Sequence, residues 1–283
     1  MLKLIALDVD GTLLNESGQI SEQTLEMVAT LRGRGVEFTL CTGRNLPMVL
    51  PFAEKLQIKL PIATCNGAEV RCLDGRVLAR RSLPSDTAAS VHHVLRSCDA
   101  LYHVYADDYI YFENKDRHSK KMYAYYRDLQ RNKDMKTILH EIDQPYMIET
   151  SNLDDLWKDE SVTVEKFFVM EQRADRLQEI RRKLIKKCDL EIATSHFAAL
   201  EVCHVLANKG NALLKIMEIC GFLPREVASI GDGMNDVPMF TVTGNSIAMG
   251  NAINEVKMRA RFVSGKNSEE GMAQALRHLL NYC

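Results

Sequence analysis

The apolar run Leu2–Leu7 has buried-strand character and ends abruptly at Asp8, Val9 and Asp10, with Gly11 next. After it, strand-like and helix-like patterns alternate: a helix over 21–32, a strand over 36–41, a helix opened by Pro47 and a strand over 61–64. Ser21 is placed to cap the first helix, and Leu25, Val28, Ala29 and Leu31 give it a buried stripe. Residues 69–72 and 76–80 flank Asp74-Gly75 as a hairpin. The alternation returns late, with a helix over 210–220, a strand over 227–230, a short helix after Pro238, a strand over 246–249 and a closing helix over 268–280. Such alternation predicts right-handed crossovers and a parallel sheet, to which both ends of the chain contribute.

Between Pro84 and Cys203 the texture changes. Residues 100–105 and 109–113 flank Asp107-Asp108 as a hairpin, 164–169 reads as a strand, 174–187 as a basic helix, and 191–195 with 199–202 as a second hairpin. The expected division is an α/β core over 1–83 and 204–283, with an inserted α+β domain over 84–203.

A chain of 283 residues is long enough for two such domains. Its 36 basic and 38 acidic side chains nearly cancel, which argues against nucleic acid as a partner and for a small molecule. Basic residues do cluster over 173–187 and, loosely, over 115–133. A solvated helix face accounts for them better than attraction of an anionic substrate. The eight cysteines, at 41, 65, 72, 98, 188, 203, 220 and 283, form no Cys-x-x-Cys pair and read as small buried hydrophobes of a reducing cytoplasm. The uncharged stretch 237–254 is broken by Pro238, Gly244 and Gly250, so no membrane span is expected. The adjacent His92 and His93 read as surface histidines. Trp157 and the tyrosines at 123, 125 and 126 read as core.

The chemistry concentrates where strands end. A carboxylate can attack phosphorus without prior deprotonation, and a second one nearby can protonate the leaving oxygen and then activate water. Asp8 is assigned as the nucleophile and Asp10 as the general acid/base. Two clustered carboxylates repel a phosphate dianion, so a cation is required, and Mg²⁺ suits an all-oxygen site. Gly231-Asp232-Gly233-Met234-Asn235-Asp236 follows the strand over 227–230 and supplies Asp232 as metal ligand. It also supplies Asn235 as a donor to phosphate and Asp236 as organiser of the shell or cap of the next helix. Thr42-Gly43-Arg44, after the strand over 36–41, offers a hydroxyl and a glycine amide as a phosphoryl cradle. Arg44 could pair with a substrate or with a core carboxylate. Lys209 stands at a helix amino end, a poor place for a cation unless a phosphate or Asp8 lies beside it. No phosphate-binding loop of the Gly-x-x-x-x-Gly-Lys type and no Gly-x-Gly-x-x-Gly after a strand is present.

Taken together, these segments resemble the haloacid dehalogenase superfamily of phosphohydrolases, specifically its Cof-type subgroup. Residues 8–14, 42–44, 209–210 and 231–236 are similar to its four motifs, and Cys65-Asn66-Gly67-Ala68 with residues 248–252 to further stretches of the subgroup. The resemblance implies a Rossmann-like parallel-sheet core with an inserted α/β cap that carries specificity. It implies Mg²⁺ held by the Asp8 carboxylate, the Asp10 main-chain carbonyl and Asp232. It further implies phosphoryl contacts from Val9 through its backbone, Thr42, Gly43, Lys209 and Asn235. The expected activity is hydrolysis of a small phosphorylated metabolite, such as a sugar phosphate, a flavin-pathway intermediate or pyridoxal phosphate. A phosphomutase using the same core, or a non-catalytic regulatory protein of the same fold, stand as alternatives.

Overall fold

The computed structural model describes residues 1–128, 133–186, 190–196 and 198–283. These fall into two compact units, Met1–Arg80 with Ala207–Cys283, and Arg81–Leu206.

The first unit starts with β1 (Leu4–Leu7), α1 (Glu22–Arg32), β2 (Glu37–Leu40), α2 (Leu46–Lys55), β3 (Ile62–Thr64), β4 (Glu69–Arg71) and β5 (Val77–Arg80). The inserted unit contains α3 (Ser85–Ser97), β6 (Leu101–Ala106), β7 (Tyr109–Glu113), α4 (Lys115–Asp128), α5 (Met135–Ile142) and β8 (Met147–Thr150). It continues with β9 (Val164–Met170), α6 (Ala174–Ile185), β10 (Leu190–His196) and β11 (Ala199–His204). The first unit then resumes with α7 (Lys209–Cys220), β12 (Val227–Gly231), α8 (Val237–Val242), β13 (Asn245–Ala248), α9 (Asn254–Lys257), β14 (Phe262–Val263) and α10 (Gly271–Leu279).

The core sheet runs β14-β13-β12-β1-β2, and every neighbouring pair is parallel. Strand β1 is buried on both sides because its side chains alternate between two apolar layers. Leu4 and Ala6 pack with Leu213, Ile216 and Met217 of α7, while Ile5 and Leu7 pack in the layer of Val28 and Leu31 of α1 and Leu276 of α10. Ser21 caps α1 as expected, accepting from the Thr24 amide at 3.3 Å. The stripe that α1 buries is Thr24, Met27, Val28 and Leu31, spaced for one helix face, whereas Ala29 points to solvent. Strands β3, β4 and β5 form a small antiparallel sheet, tied to the core by a bridge between Cys41 and Ala63.

The inserted unit has a six-stranded sheet in the order β10-β11-β9-β6-β7-β8, antiparallel except for the β7–β8 pair. Leu95, Phe167, Ile180 and Leu184 fill one layer, and Phe112, Met122, Tyr125 and Ile138 another. Both expected hairpins are present, and Tyr125 is buried while Trp157 packs against the first layer. Helix α6 carries its charge in ion pairs, Arg173 with Asp175, Arg176 with Glu171 and Lys183 with Glu179, as befits a solvated face. The expected end of this helix at Lys187, the cysteine at 188 and residues 129–132 of the second basic cluster lie outside the described residues. Of the described cysteines, Cys41, Cys65 and Cys203 are buried and the other four partly so, and none of them is in a disulfide. Among the described residues no helix is long and apolar enough to cross a membrane.

Two further expectations are corrected, and Tyr123 is the first, since it lies exposed on α4 rather than in the core. His92 is buried rather than at the surface, because α3 turns it inward to pack on Trp157 and its Nδ1 hydrogen-bonds the Tyr102 hydroxyl at 2.9 Å. A second pair, His103 of β6 and His118 of α4, is also buried, with the two Nε2 atoms 2.7 Å apart. Only one proton fits between them, so the two rings cannot both be charged. Burial, aided by the neighbouring charges, pushes the His103 imidazole well below its usual range and His118 down to about 4.

A base with a depressed folded-state pKa leaves the unfolded chain binding more protons below about pH 6.5. Stability present above that pH is therefore lost as pH falls toward 4, by up to about 1.4 kcal/mol per unit per histidine. Trp157 is the single tryptophan and reports on this unit. Urea unfolding followed by its fluorescence should show this loss from pH 7 to 5, and His118→Gln should flatten it; parallel curves for the two proteins would contradict the assignment.

Candidate active site

The parallel order puts the carboxyl ends of β1, β2, β12 and β13 along one edge of the core sheet. Open parallel sheets gather ligand-binding loops there. Asp8 leaves β1 directly, and its amide donates to the carbonyl of Ile230 on β12 at 3.0 Å. The chain then turns sharply through Gly11, whose φ is +78° and whose added Cβ would lie 2.3 Å from Asp232 Oδ2. Only glycine allows both the left-handed backbone and that approach.

Lys209 is the centre of the arrangement. It begins α7, is 1% exposed, and donates from Nζ to Asp8 Oδ1 and to Asp236 Oδ1, each at 2.6 Å. Burial works to lower the ammonium pKa, but the Asp236 and Asp8 carboxylates outweigh it and hold Lys209 charged. Burial and the Asp236 charge push the Asp8 carboxyl well up, with Lys209 opposing. Asp236 also accepts through Oδ2 from the amides of Asp232 and Gly233, both at 2.9 Å. Its side chain thus locks the turn after β12 and does not cap α8.

Asp232 is fixed at both oxygens. Thr12 Oγ1 donates to Oδ1 at 3.0 Å and Asn251 Nδ2 to Oδ2 at 3.1 Å. Asn251 also donates to the Gly11 carbonyl at 2.8 Å and accepts from the Asn267 amide at 3.0 Å, so the loops after β1, β12, β13 and β14 are stitched together. Burial and Asp236 push the Asp232 carboxyl up to about 7.

Asp8, Asp232 and Asp236 each offer a carboxylate oxygen within 4.8 Å of the others. Among the described residues these three carboxylates share one ammonium, Lys209, so the cluster in its ionised form carries an excess of negative charge. Asp236 is committed to Lys209 and to two backbone amides, whereas Asp232 meets one neutral side-chain donor at each oxygen and Asp8 meets Lys209 at Oδ1, so Asp8 and Asp232 are the side chains better placed to hold a cation. A hard, oxygen-seeking divalent ion fits this donor set and this charge.

Asp10 lies apart from the cluster. Its carboxylate is largely exposed and sits in the fork of Arg44, with Nε 2.8 Å from Oδ2 and a terminal nitrogen 2.6 Å from Oδ1. The Arg44 guanidinium also lies 5.1 Å from the centroid of the Phe52 ring. Thr42 is buried at the end of β2, where its Oγ1 accepts from the Arg44 amide at 3.1 Å. Gly43 follows it, and Val9 is fully buried beside Asp8. Asn235 Nδ2 donates to Asn66 Oδ1 at 3.1 Å, and the Asn66 amide donates to the Thr42 carbonyl at 2.9 Å. Thr12, Asn66 and Asn251 were given no role by sequence reasoning. Each is a neutral side chain just beyond a strand end, and only the strand order shows which charged group it meets.

Comparison with known proteins gives this site a family. The family model for haloacid dehalogenase-like hydrolases matches residues 5–276. The chain is 28% identical to 5-amino-6-(5-phospho-D-ribitylamino)uracil phosphatase YwtE of Bacillus subtilis, over 99% of each. It is 26% identical to pyridoxal phosphate phosphatase YbhA of Escherichia coli, over 96% of each. A solved haloacid dehalogenase-like hydrolase from B. subtilis superposes with a TM-score of 0.85 at 26% identity, covering 98% of this chain and 100% of that one. With its strand-end carboxylates, buried lysine and matching fold, this chain belongs to the haloacid dehalogenase-like hydrolases.

Proposed function

We propose that this hydrolase removes the phosphoryl group from small soluble phosphomonoesters through an aspartyl-phosphate on Asp8. The observation that carries the reading is the buried Asp8–Lys209–Asp236 arrangement beside Asp232, which leaves a net negative, oxygen-lined site at a strand end. Lys209 occupies one oxygen of Asp8, opposes the effect of burial on the carboxylate, and leaves the other oxygen to attack phosphorus. Mg²⁺, held by the Asp8 carboxylate, the Asp10 main-chain carbonyl and Asp232, would supply the charge that lets a phosphate dianion approach. Thr42, Gly43, Asn235 and the Val9 backbone hold the phosphoryl oxygens. Positioning and charge neutralisation then do most of the catalytic work.

Asp10 acts as general acid and then general base, and Arg44 orients it. Bidentate geometry fixes the plane of the carboxylate as well as its place, which a lysine could not do. The inserted unit is proposed to select the leaving group. Relatives named for a flavin-type ribitylaminouracil phosphate and for pyridoxal phosphate support a substrate of that size and charge.

A hydrolysis screen over sugar phosphates, ribitylaminouracil phosphate and pyridoxal phosphate, with Mg²⁺ and with chelator, tests the reading. Turnover should need the metal and vanish in Asp8→Asn with the fold retained; activity in that variant would remove the nucleophile assignment. Arg44→Ala should cut turnover of alkyl phosphates by about 10²-fold and of p-nitrophenyl phosphate much less, since a good leaving group needs little protonation. Equal losses on both substrates would point to a different task for Arg44.

Lys209→Met leaves two carboxylates buried without their cation and should destabilise the chain by about 3–5 kcal/mol at pH 8. The raised carboxyl pKa values make the folded variant bind more protons than the unfolded chain, so its stability should rise as pH falls toward 5.5. Urea titrations at the two pH values check this, and a loss below about 1 kcal/mol at pH 8 would count against the buried ion triad.

A further inference from the structure

The turn Cys65-Asn66-Gly67 is costly to hold. Three successive residues have left-handed backbone, φ being +50°, +58° and +85°, although the first two are not glycine. Gly67 is forced by contact, since an added Cβ would lie 2.3 Å from the Asn208 carbonyl at the start of α7. Asn66 is 2% exposed, and its Nδ2 is buried with no hydrogen-bond partner. A buried donor left without an acceptor, on strained backbone, destabilises the fold by an amount that packing alone does not justify.

The remaining atoms of Asn66 are engaged with the candidate site. Its amide donates to the Thr42 carbonyl, and its Oδ1 accepts from Asn235 Nδ2. The turn therefore joins the loop after β2 to the loop after β12, and it packs on the end of α7 that carries Lys209.

We propose that Asn66 is the positioning residue for the phosphoryl-binding amide of Asn235. Taking one of the two Nδ2 protons fixes the amide plane of Asn235 and leaves the other proton for a phosphoryl oxygen. The left-handed turn exists to deliver the Asn66 carbonyl oxygen to that point, with its own NH₂ group left unpaired as the consequence. The inference rests on the phosphohydrolase reading above and deepens it by assigning what orients the oxyanion donor.

The test is a double-mutant cycle between Asn66→Gly and Asn235→Ala in the full chain, read by calorimetric titration with orthophosphate in Mg²⁺ and by kcat and KM. Asn66→Gly relieves the backbone strain, so its melting temperature should equal or exceed that of the parent. Its orthophosphate Kd and its KM should nonetheless rise about tenfold, the scale of one positioned hydrogen bond. In the Asn235→Ala background the same change should have no effect on either constant. Asn66→Asp keeps an acceptor and tolerates the left-handed backbone, so coupling to Asn235 should survive in it even if the added charge weakens phosphate binding. An unchanged Kd in Asn66→Gly, or an equal loss in both backgrounds, would overturn the proposal while the phosphatase reading stands. A parent protein that neither hydrolyses phosphomonoesters nor binds orthophosphate would overturn both.

Discussion

A single buried ammonium sets the terms of this structure. Lys209 is enclosed between Asp8 and Asp236, one from the first strand and one from the turn after β12, more than two hundred residues apart in sequence. None of the three charges is tolerable alone at that depth, because desolvating an isolated ion outweighs any packing gain. Each is therefore a condition for the others. The position of α7, the tight turn around Asp232 and the end of β1 are fixed by one short electrostatic constraint.

Balance is deliberately incomplete on the other side of Asp8. Asp232 has neutral donors, Thr12 and Asn251, rather than a cation of its own, and burial together with the nearby Asp236 charge pushes its carboxyl up to about 7. Asp10, by contrast, is matched one to one with Arg44 at the solvent boundary. The core thus separates a charge-compensated carboxylate from a cluster of carboxylates that share one ammonium. The inserted unit shows the opposite practice, with its buried Lys166 paired to Glu201 and its histidine pair kept neutral.

Much of the core was legible because its signals are local. An apolar run ending in Asp8 and Asp10, a glycine-rich turn around Asp232 and helix-periodic stretches between them imply the parallel order by handedness alone. The misplacement of a cation at a helix amino end called for a phosphate or Asp8 beside Lys209, and Asp8 is the group found there. Less local facts escaped. Helices α4 and α5 and strand β8 were not expected, since charged residues dominate α4 and β8 is a short strand. The burial of His92 depends on the helix face that meets Trp157, and the fork between Arg44 and Asp10 on the adjacency of β1 and β2. Both are tertiary facts that residue type does not encode.

The central claim is that Asp8 is the group the buried lysine holds ready for phosphorus. Acid-quenched mass spectrometry of the Asp10→Asn variant after brief exposure to p-nitrophenyl phosphate and Mg²⁺ addresses it directly, since that leaving group needs little protonation to depart while loss of the proposed base should let the covalent intermediate accumulate. The account predicts a hydroxylamine-labile phosphoryl group on the peptide containing Asp8. A phosphoryl group on any other residue, or continued turnover with no labelled peptide at all, would contradict it.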